Sequence, residues 1–305
     1  MNVEVVRYCL NLLSNVNVQI DVVRKYAEII SNTMFNLYFN WRMANDKKDI
    51  SEADAIAQCI LQIMTCKIQS FLKLSEGITV IPKNKSFMVL DIPSLIAIIR
   101  RMYELVFVFH NLYVEQESEE EKKIILYLWE IRGLNNRQGL SNVPEEYRNQ
   151  EEFERKQIER LREKIRNIMN ELNVSVEVKQ QIENVIKSNS TNIKGYKFEK
   201  DNDGKIVRFK DFRMEDNADG LLSLGEYINV YRLWSVHTHP SYLGVLQFGR
   251  MYDQGSEKQF LSTLLITTCK LACRMIKDFS EGVKGAREIY QSFSDEEKEI
   301  NRIFV

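Results

Sequence analysis

Between Val18 and Ala44 the apolar residues Val22, Val23, Tyr26, Ile29, Ile30, Met34, Leu37, Tyr38 and Trp41 recur at steps of three and four, as one face of a helix requires. The spacing predicts a long amphipathic helix. A second begins after Ser51, which with Asp54 resembles an N-cap pair, carries Ala55, Ile56, Cys59, Ile60, Ile63, Met64 and Phe71, and ends at Gly77. A third opens at Asp91-Ile92-Pro93, where a first-turn proline costs little, and runs to about Val114. Ser118 followed by Glu119, Glu120 and Glu121 marks the start of a fourth, closed between Gly133 and Gly139.

From Pro144 to Leu172 the composition shifts to Glu, Arg, Lys and Gln, while Ile158, Leu161, Ile165, Ile168 and Leu172 keep a seam at alternating steps of three and four. Two heptads are too short for a free coiled coil, so this helix is expected to fold back on Val178, Ile182, Val185 and Ile186 as a hairpin arm. Helical periodicity then stops at Tyr196–Phe212, where Asp201-Asn202-Asp203-Gly204 separates two aromatic and β-branched runs, predicting a small β-hairpin or ordered loop. Asp219–His239 reads as helical and Pro240–Gly255 as loop, with Gly244 and Gly249 taken as breakers. Ser256 is expected to cap a helix to Phe279, and one last helix ends the chain. The sum is an all-α, multi-helix bundle: residues 1–143 form an N-terminal bundle, 144–192 the charged arm, and 193–305 a small hairpin followed by helices that complete the bundle.

Composition sharpens this picture. Twelve Gly and four Pro among 305 residues are too few for a turn-rich all-β fold or a disordered chain. The 42 basic and 43 acidic residues leave a net charge of −1, so nucleic-acid binding would need a local patch. Glu4 and Arg7 interrupt the first apolar run, so no signal peptide is expected. Apolar stretches such as Leu95–Ile99 and Leu105–Phe109 fall far short of the ~20 residues that span a bilayer. Five cysteines, Cys9, Cys59, Cys66, Cys269 and Cys273, lie in apolar helical patterns, which points to reduced, core-packed thiols in a cytoplasmic protein with no membrane association. Cys59 and Cys66 stand about 10 Å apart along a helix, the wrong spacing for one zinc ion.

No dinucleotide, Walker, nucleophile-elbow, zincin or diiron motif occurs, and no cofactor is expected. Imidazole chemistry must use His110, His237 or His239. The last two sit in Tyr231-Arg232-Leu233-Trp234-Ser235-Val236-His237-Thr238-His239-Pro240-Ser241. On a helical wheel Arg232, Ser235 and His239 fall within about 60°, with His237 on the other side beside Glu226, Val230 and Trp234. Pro240 should end the helix near His237, whose last-turn position favours the protonated imidazole. Either this is a site, or it is a satisfied core network of Tyr, Trp and His. On the third helix Ala97, Arg100, Arg101, Glu104, Val108, Asn111 and Glu115 form one polar arc that faces solvent or lines a cleft, and His110 lies off it as a packed residue.

Arg101-x-Tyr103-Glu104 on a buried helix, followed by Tyr231-x-x-x-Ser235-x-His237/His239-Pro240-Ser241, is similar to the bacterial domain-of-unknown-function family 5677. That resemblance implies an all-helical bacterial protein with no assigned reaction. More remotely the chain resembles the HEPN superfamily, whose signature is arginine, four to six residues, then histidine. Arg232 and His237 have four residues between them, Arg232 and His239 six. The resemblance implies a metal-independent ribonuclease in phage defence or a toxin–antitoxin system, with Arg232 steadying the phosphorane and His237 moving protons, often across a homodimer interface. Departures are Leu233, where a polar residue is usual, and Pro240 just beyond the motif.

The catalytic set expected from these readings is Arg232, His237, His239, Arg101 and Glu104. Residues 194–213 carry seven basic against four acidic side chains, interleaved with Tyr196, Phe198, Phe209 and Phe212. Lys197, Lys200, Lys205, Arg208 and Lys210 are thus the expected RNA contacts, since basic groups beside aromatic plates suit single strands, although an amphipathic hairpin packed on helices has the same pattern. Three functional readings remain open: the ribonuclease; a non-catalytic scaffold or sensor that binds a protein partner through residues 144–188; and a metal held between His237, His239 and Glu226 or Glu104.

Overall fold

The helix starts are written locally. Ser51 accepts from the Asp54 N–H, and at Ser118 and Ser294 the serine hydroxyl and the glutamate three residues on satisfy each other's backbone donors reciprocally. The computed structural model of the protein describes residues 16–46, 48–81, 85–141, 144–172, 174–188, 194–217, 230–239 and 241–305. Within them lie α1 (Val16–Asn45), α2 (Glu52–Leu74), β1 (Ile78–Val80), β2 (Phe87–Val89), α3 (Ile92–Tyr113), α4 (Glu119–Gln138), α5 (Arg148–Glu171), α6 (Val176–Lys187), β3 (Lys194–Lys200), β4 (Ile206–Arg213), α7 (Val230–Thr238), α8 (Tyr242–Asp253), α9 (Glu257–Gly282), α10 (Ala286–Gln291) and α11 (Asp295–Phe304). The fold is all-α with two small antiparallel strand pairs.

The chain divides into two units, one within Met1–Phe109 and Asn217–Val305, the other within His110–Asp216. In the first, α9 is the central element. It packs on α1, α2, α10 and α11, and it buries Leu265, Cys269, Leu271, Ala272, Cys273, Met275, Ile276 and Phe279. Its ends are polar, so its burial comes from packing on several sides at once. Trp41 of α1 meets Phe279 edge-on at 5.9 Å and donates its indole N–H to the Lys284 carbonyl. Helix α2 has the length and mean hydropathy to cross a membrane, and it buries Ile60, Leu61, Met64, Ile68 and Phe71 within this unit. Its Cys59 and Cys66 are exposed, which corrects the core reading: they fall off the stripe that those residues define. Cys269 and Cys273 are buried, and burial pushes both thiols up. Cys9 lies outside the described residues.

In the second unit the residues expected to form the arm give two helices, α5 and α6, that pack on α4 rather than chiefly on each other. Ile158, Leu161, Ile165 and Met169 of α5 and Val178, Ile182 and Ile186 of α6 are buried; α5 packs on α4, and α6 on α4 and β4. Arg166 holds Glu183 through two hydrogen bonds of 2.7 and 3.1 Å, joining α5 to α6. Strands β3 and β4 pair Phe198 with Phe209 and Lys197 with Lys210. Tyr196, Phe198, Ile206 and Phe209 are buried, while Lys197 and Lys210 are exposed, so the hairpin is amphipathic.

Three expectations need correction. The stretch expected as a loop over Pro240–Gly255 instead holds α8 at Tyr242–Asp253. Ser241 caps it by accepting from the Gly244 N–H, while its own hydroxyl donates to the Val236 carbonyl. Gly244 is no breaker: a Cβ there would lie 2.6 Å from the Val236 oxygen, so glycine permits the close approach of α7 and α8. The chain ends in two helices rather than one, because α10 stops at Gln291 and the Ser294 capping box starts α11 at Asp295. Ser256 precedes α9 without capping it, its hydroxyl donating instead to the Met251 carbonyl.

Candidate functional site

Helix α7 is short, and its position is set by aromatic packing. Tyr231 and Trp234, one turn apart, are buried and stand against Tyr103 of α3 at 5.6 and 5.8 Å. That packing places the polar arc of α3 beside the end of α7. The Arg100 guanidinium donates to Thr238 Oγ1 at 2.8 Å and to the Tyr231 hydroxyl at 3.1 Å, and its Nη1 lies 3.3 Å from His239 Nε2. Its carbon stands 5.1 Å over the Tyr231 ring. The Tyr231 hydroxyl donates in turn to Glu104 Oε1 at 3.2 Å, and Glu104 pairs with Arg100 Nε at 3.3 Å and with Arg101 Nη1 at 3.2 Å.

Arginine has no acceptor, so in a hydrogen bond between Arg100 and His239 Nε2 takes the acceptor role. His239 is exposed, Arg101 is half-exposed at 52%, and the Arg100 and Glu104 side chains are 23% and 17% exposed. This is a partly open network of two cations, one carboxylate, a phenol and an imidazole. Burial and the Glu104 charge raise the Tyr231 hydroxyl above its ordinary value, against the lowering pull of Arg100, so it stays a donor.

Three of the expected residues, Arg101, Glu104 and His239, are therefore brought together, with Arg100 at the centre. His237 is not among them. It lines, with Ile96, Leu233, Trp234, Phe260, Thr267 and others, a cavity of about 380 Å³ beside α9. Burial depresses its imidazole below the usual value, which corrects the expectation of a favoured protonated form: desolvation outweighs the helix C-terminus here. Arg232 is exposed on α7, and the guanidinium beside His239 comes from Arg100 of another helix. Arg100, Tyr231 and Thr238 were not in the expected set. The one sequence signal for Arg100 was its place on the polar arc of α3, four residues before Glu104. Glu226 and Pro240 lie outside the described residues, and among the described residues no three His, Cys, Asp or Glu side chains converge as a metal site would need.

The expected RNA contacts lie in the other unit. Lys197 pairs with Glu115 at 2.6 Å, Lys200 with Glu117 and Glu121 at 2.8 Å, and Arg208 with Glu199 at 3.6 Å. Lys205 and Lys210 lie at the turn and on the exposed strand face, half-buried and exposed respectively. Three aromatic rings of the pattern, Tyr196, Phe198 and Phe209, are buried: Tyr196 stacks on Phe209 at 5.0 Å, and the Arg132 guanidinium carbon stands 4.9 Å from the Tyr196 ring centroid. His110 is largely buried and lies 3.3 Å from Glu115. Hydrogen bonding to His110, aided by Lys197 and opposed by burial, brings the Glu115 carboxyl down to about 2. A carboxyl lowered on folding contributes stability above its unfolded value of about 4.3 and loses it as pH falls toward its folded value. Urea midpoints should therefore fall between about pH 4.5 and 2, and Glu115→Gln should differ from the native chain at pH 7 and converge with it at pH 2.

A model of a family of unknown function (DUF5677) matches residues 64–256, a stretch that includes α3, the arm, the hairpin, α7 and α8. No curated protein and no solved structure matches the chain.

Proposed function

The chain belongs to the family of unknown function DUF5677, and from that premise we propose that it is a metal-independent ribonuclease of a bacterial cytoplasm, acting in defence against phage or as a toxin. The observation that carries this reading is the Arg100 guanidinium held by Thr238 and Tyr231 with Nη1 3.3 Å from Nε2 of the exposed His239. A guanidinium whose donors are fixed in advance can stabilise charge that develops on a phosphoryl oxygen. A phosphate oxygen seated on Nη1 takes the donor from His239 and frees Nε2 to accept the 2′-hydroxyl proton. The 2′-oxygen then bonds to phosphorus, the bond from phosphorus to the 5′-oxygen breaks, and the departing oxygen takes a proton from water. The products are a 2′,3′-cyclic phosphate and a 5′-hydroxyl. Glu104 and Tyr231 are positioning residues that hold Arg100 from behind, and Arg101 offers a second, more exposed cation to the same phosphate.

Cleavage of single-stranded RNA should proceed in the presence of a metal chelator. His239→Ala should lower its rate by about 10²- to 10⁴-fold while the far-ultraviolet circular dichroism stays native. Equal rates for the two proteins, or no cleavage under any condition, would overturn the proposal.

A further inference from the structure

In the first unit α1 and α2 present a face that the reaction above does not use. The two helices pack on each other, and the bonds between them run in opposite directions along the sequence: Arg24 donates to Ser75 Oγ at 2.7 Å and Gln69 to Ser31 Oγ at 2.6 Å. They are therefore antiparallel, and this register sets residues 29–41 of α1 beside the middle of α2. The chain is 28% charged, yet neither 29–41 nor 55–66 holds an Asp, Glu, Lys or Arg. Burial does not explain this, because both stretches have surface positions, where charged residues ordinarily sit. Phe35, Phe39 and Ile63 are exposed at 49, 47 and 42%, and the two phenyl rings stack at 6.2 Å and 14°. Asn32, Asn36 and Asn40, all exposed, follow one another at steps of four as a second ridge beside the phenylalanines. On α2 the exposed groups are the Gln62 amide and the Cys59 and Cys66 thiols, next to Ile63.

Such a face is complementary to itself. A side-chain amide carries both an N–H₂ donor and a carbonyl acceptor, so it can satisfy its twin, as asparagine does at the seam of helix dimers. A charged face turned onto itself by a two-fold axis sets some like charges together, whereas this one meets a second copy without repulsion. We propose that it is the interface of a homodimer, in which α1 and α2 of one copy pack on α1 and α2 of another. A lipid surface suits it less: hydrocarbon offers the four amides no partner, and the face has no cation for an anionic headgroup. Thirteen helical residues make it about 20 Å long, and two helix diameters make it about 20 Å wide. Obligate dimers bury more than about 2,000 Å², so this footprint fits a dimer that dissociates in the micromolar range. None of these residues belongs to the Arg100–His239 network, and the inference does not rest on the ribonuclease reading.

The test is equilibrium sedimentation of the full chain over about 1–100 μM, in which the average mass should rise from one chain towards two. Phe39→Glu and Ile63→Lys each place a desolvated charge in the interface and should raise the dissociation constant at least tenfold. Both positions are exposed in the single chain, so urea midpoints should stay native and separate a lost interface from a lost fold. Met88→Glu adds the same charge on β2, at a position 72% exposed and outside the face, and should leave the constant within about twofold. A chain that stays monomeric throughout, a dimer that the Phe39 and Ile63 variants leave intact, or one that Met88→Glu breaks as readily would remove this interface. So would binding of the native chain to neutral phosphatidylcholine vesicles in place of self-association.

Discussion

Phe279→Ala is expected to destabilise the first unit by about 3–5 kcal/mol, the range for deleting a fully buried ring. The ring has no exposed surface and meets Trp41 at 85° and Phe109 at 31°, both at 5.9 Å. Its neighbours cannot collapse into the space. Trp41 is held by its hydrogen bond to Lys284, and Phe109 lies on α3, whose backbone is fixed along its length by its own helical bonds. The loss should appear as a lower urea midpoint and a drop of roughly 10 °C in Tm for this unit. Phe279→Leu, which keeps most of the volume, should lose well under half as much. A loss below about 1 kcal/mol for the alanine variant would mean that α9 is not the central packing element described here.

Arg100→Ala is the second large effect, and it separates positioning from charge. The side chain serves Thr238, Tyr231 and His239 through its fork and Glu104 through Nε. Removing it leaves Glu104, 17% exposed, with Arg101 as its remaining cation and leaves Thr238 without its donor. Breaking a fully buried pair costs about 3–5 kcal/mol, and partial exposure of both partners brings the expectation to about 2 kcal/mol. Arg100→Lys restores a charge but not a planar fork. It should recover part of the stability and little of the RNA cleavage, because one ammonium cannot point at Thr238, Tyr231 and a phosphate at once. Equal cleavage by Arg100→Lys and the native chain would show that the guanidinium geometry is not what the reaction uses.

The contrast between Arg100 and Arg232 shows how far the chain could be read without coordinates. Both are arginines on helices, and Arg232 stands near the histidines in sequence, so spacing favoured it. Arg100 is separated from His239 by 139 positions, and what joins them is the packing of Tyr103 against Tyr231 and Trp234. His237 gives the same lesson in electrostatics: its place in a helix's last turn is visible in the sequence, but the apolar walls that strip its water are supplied by α3 and α9. Gly244 looked like a breaker because its real reason, the Val236 carbonyl, lies eight residues earlier across a turn. The basic hairpin is open to two readings in sequence, an RNA surface and an amphipathic hairpin packed on helices, because spacing cannot say whether its aromatic face meets solvent or helices.

What the sequence determined by itself is therefore what depends on neighbours within a few residues: the helical periods, the serine caps at 51 and 118, the β-hairpin around Asp201–Gly204, and the separation of His237 from His239 around α7. Tertiary structure alone decided which guanidinium meets which imidazole, which cysteines are buried and which histidine is desolvated. Those properties depend on atoms brought from distant segments, and a periodic pattern defines the face a residue occupies without defining what that face will touch.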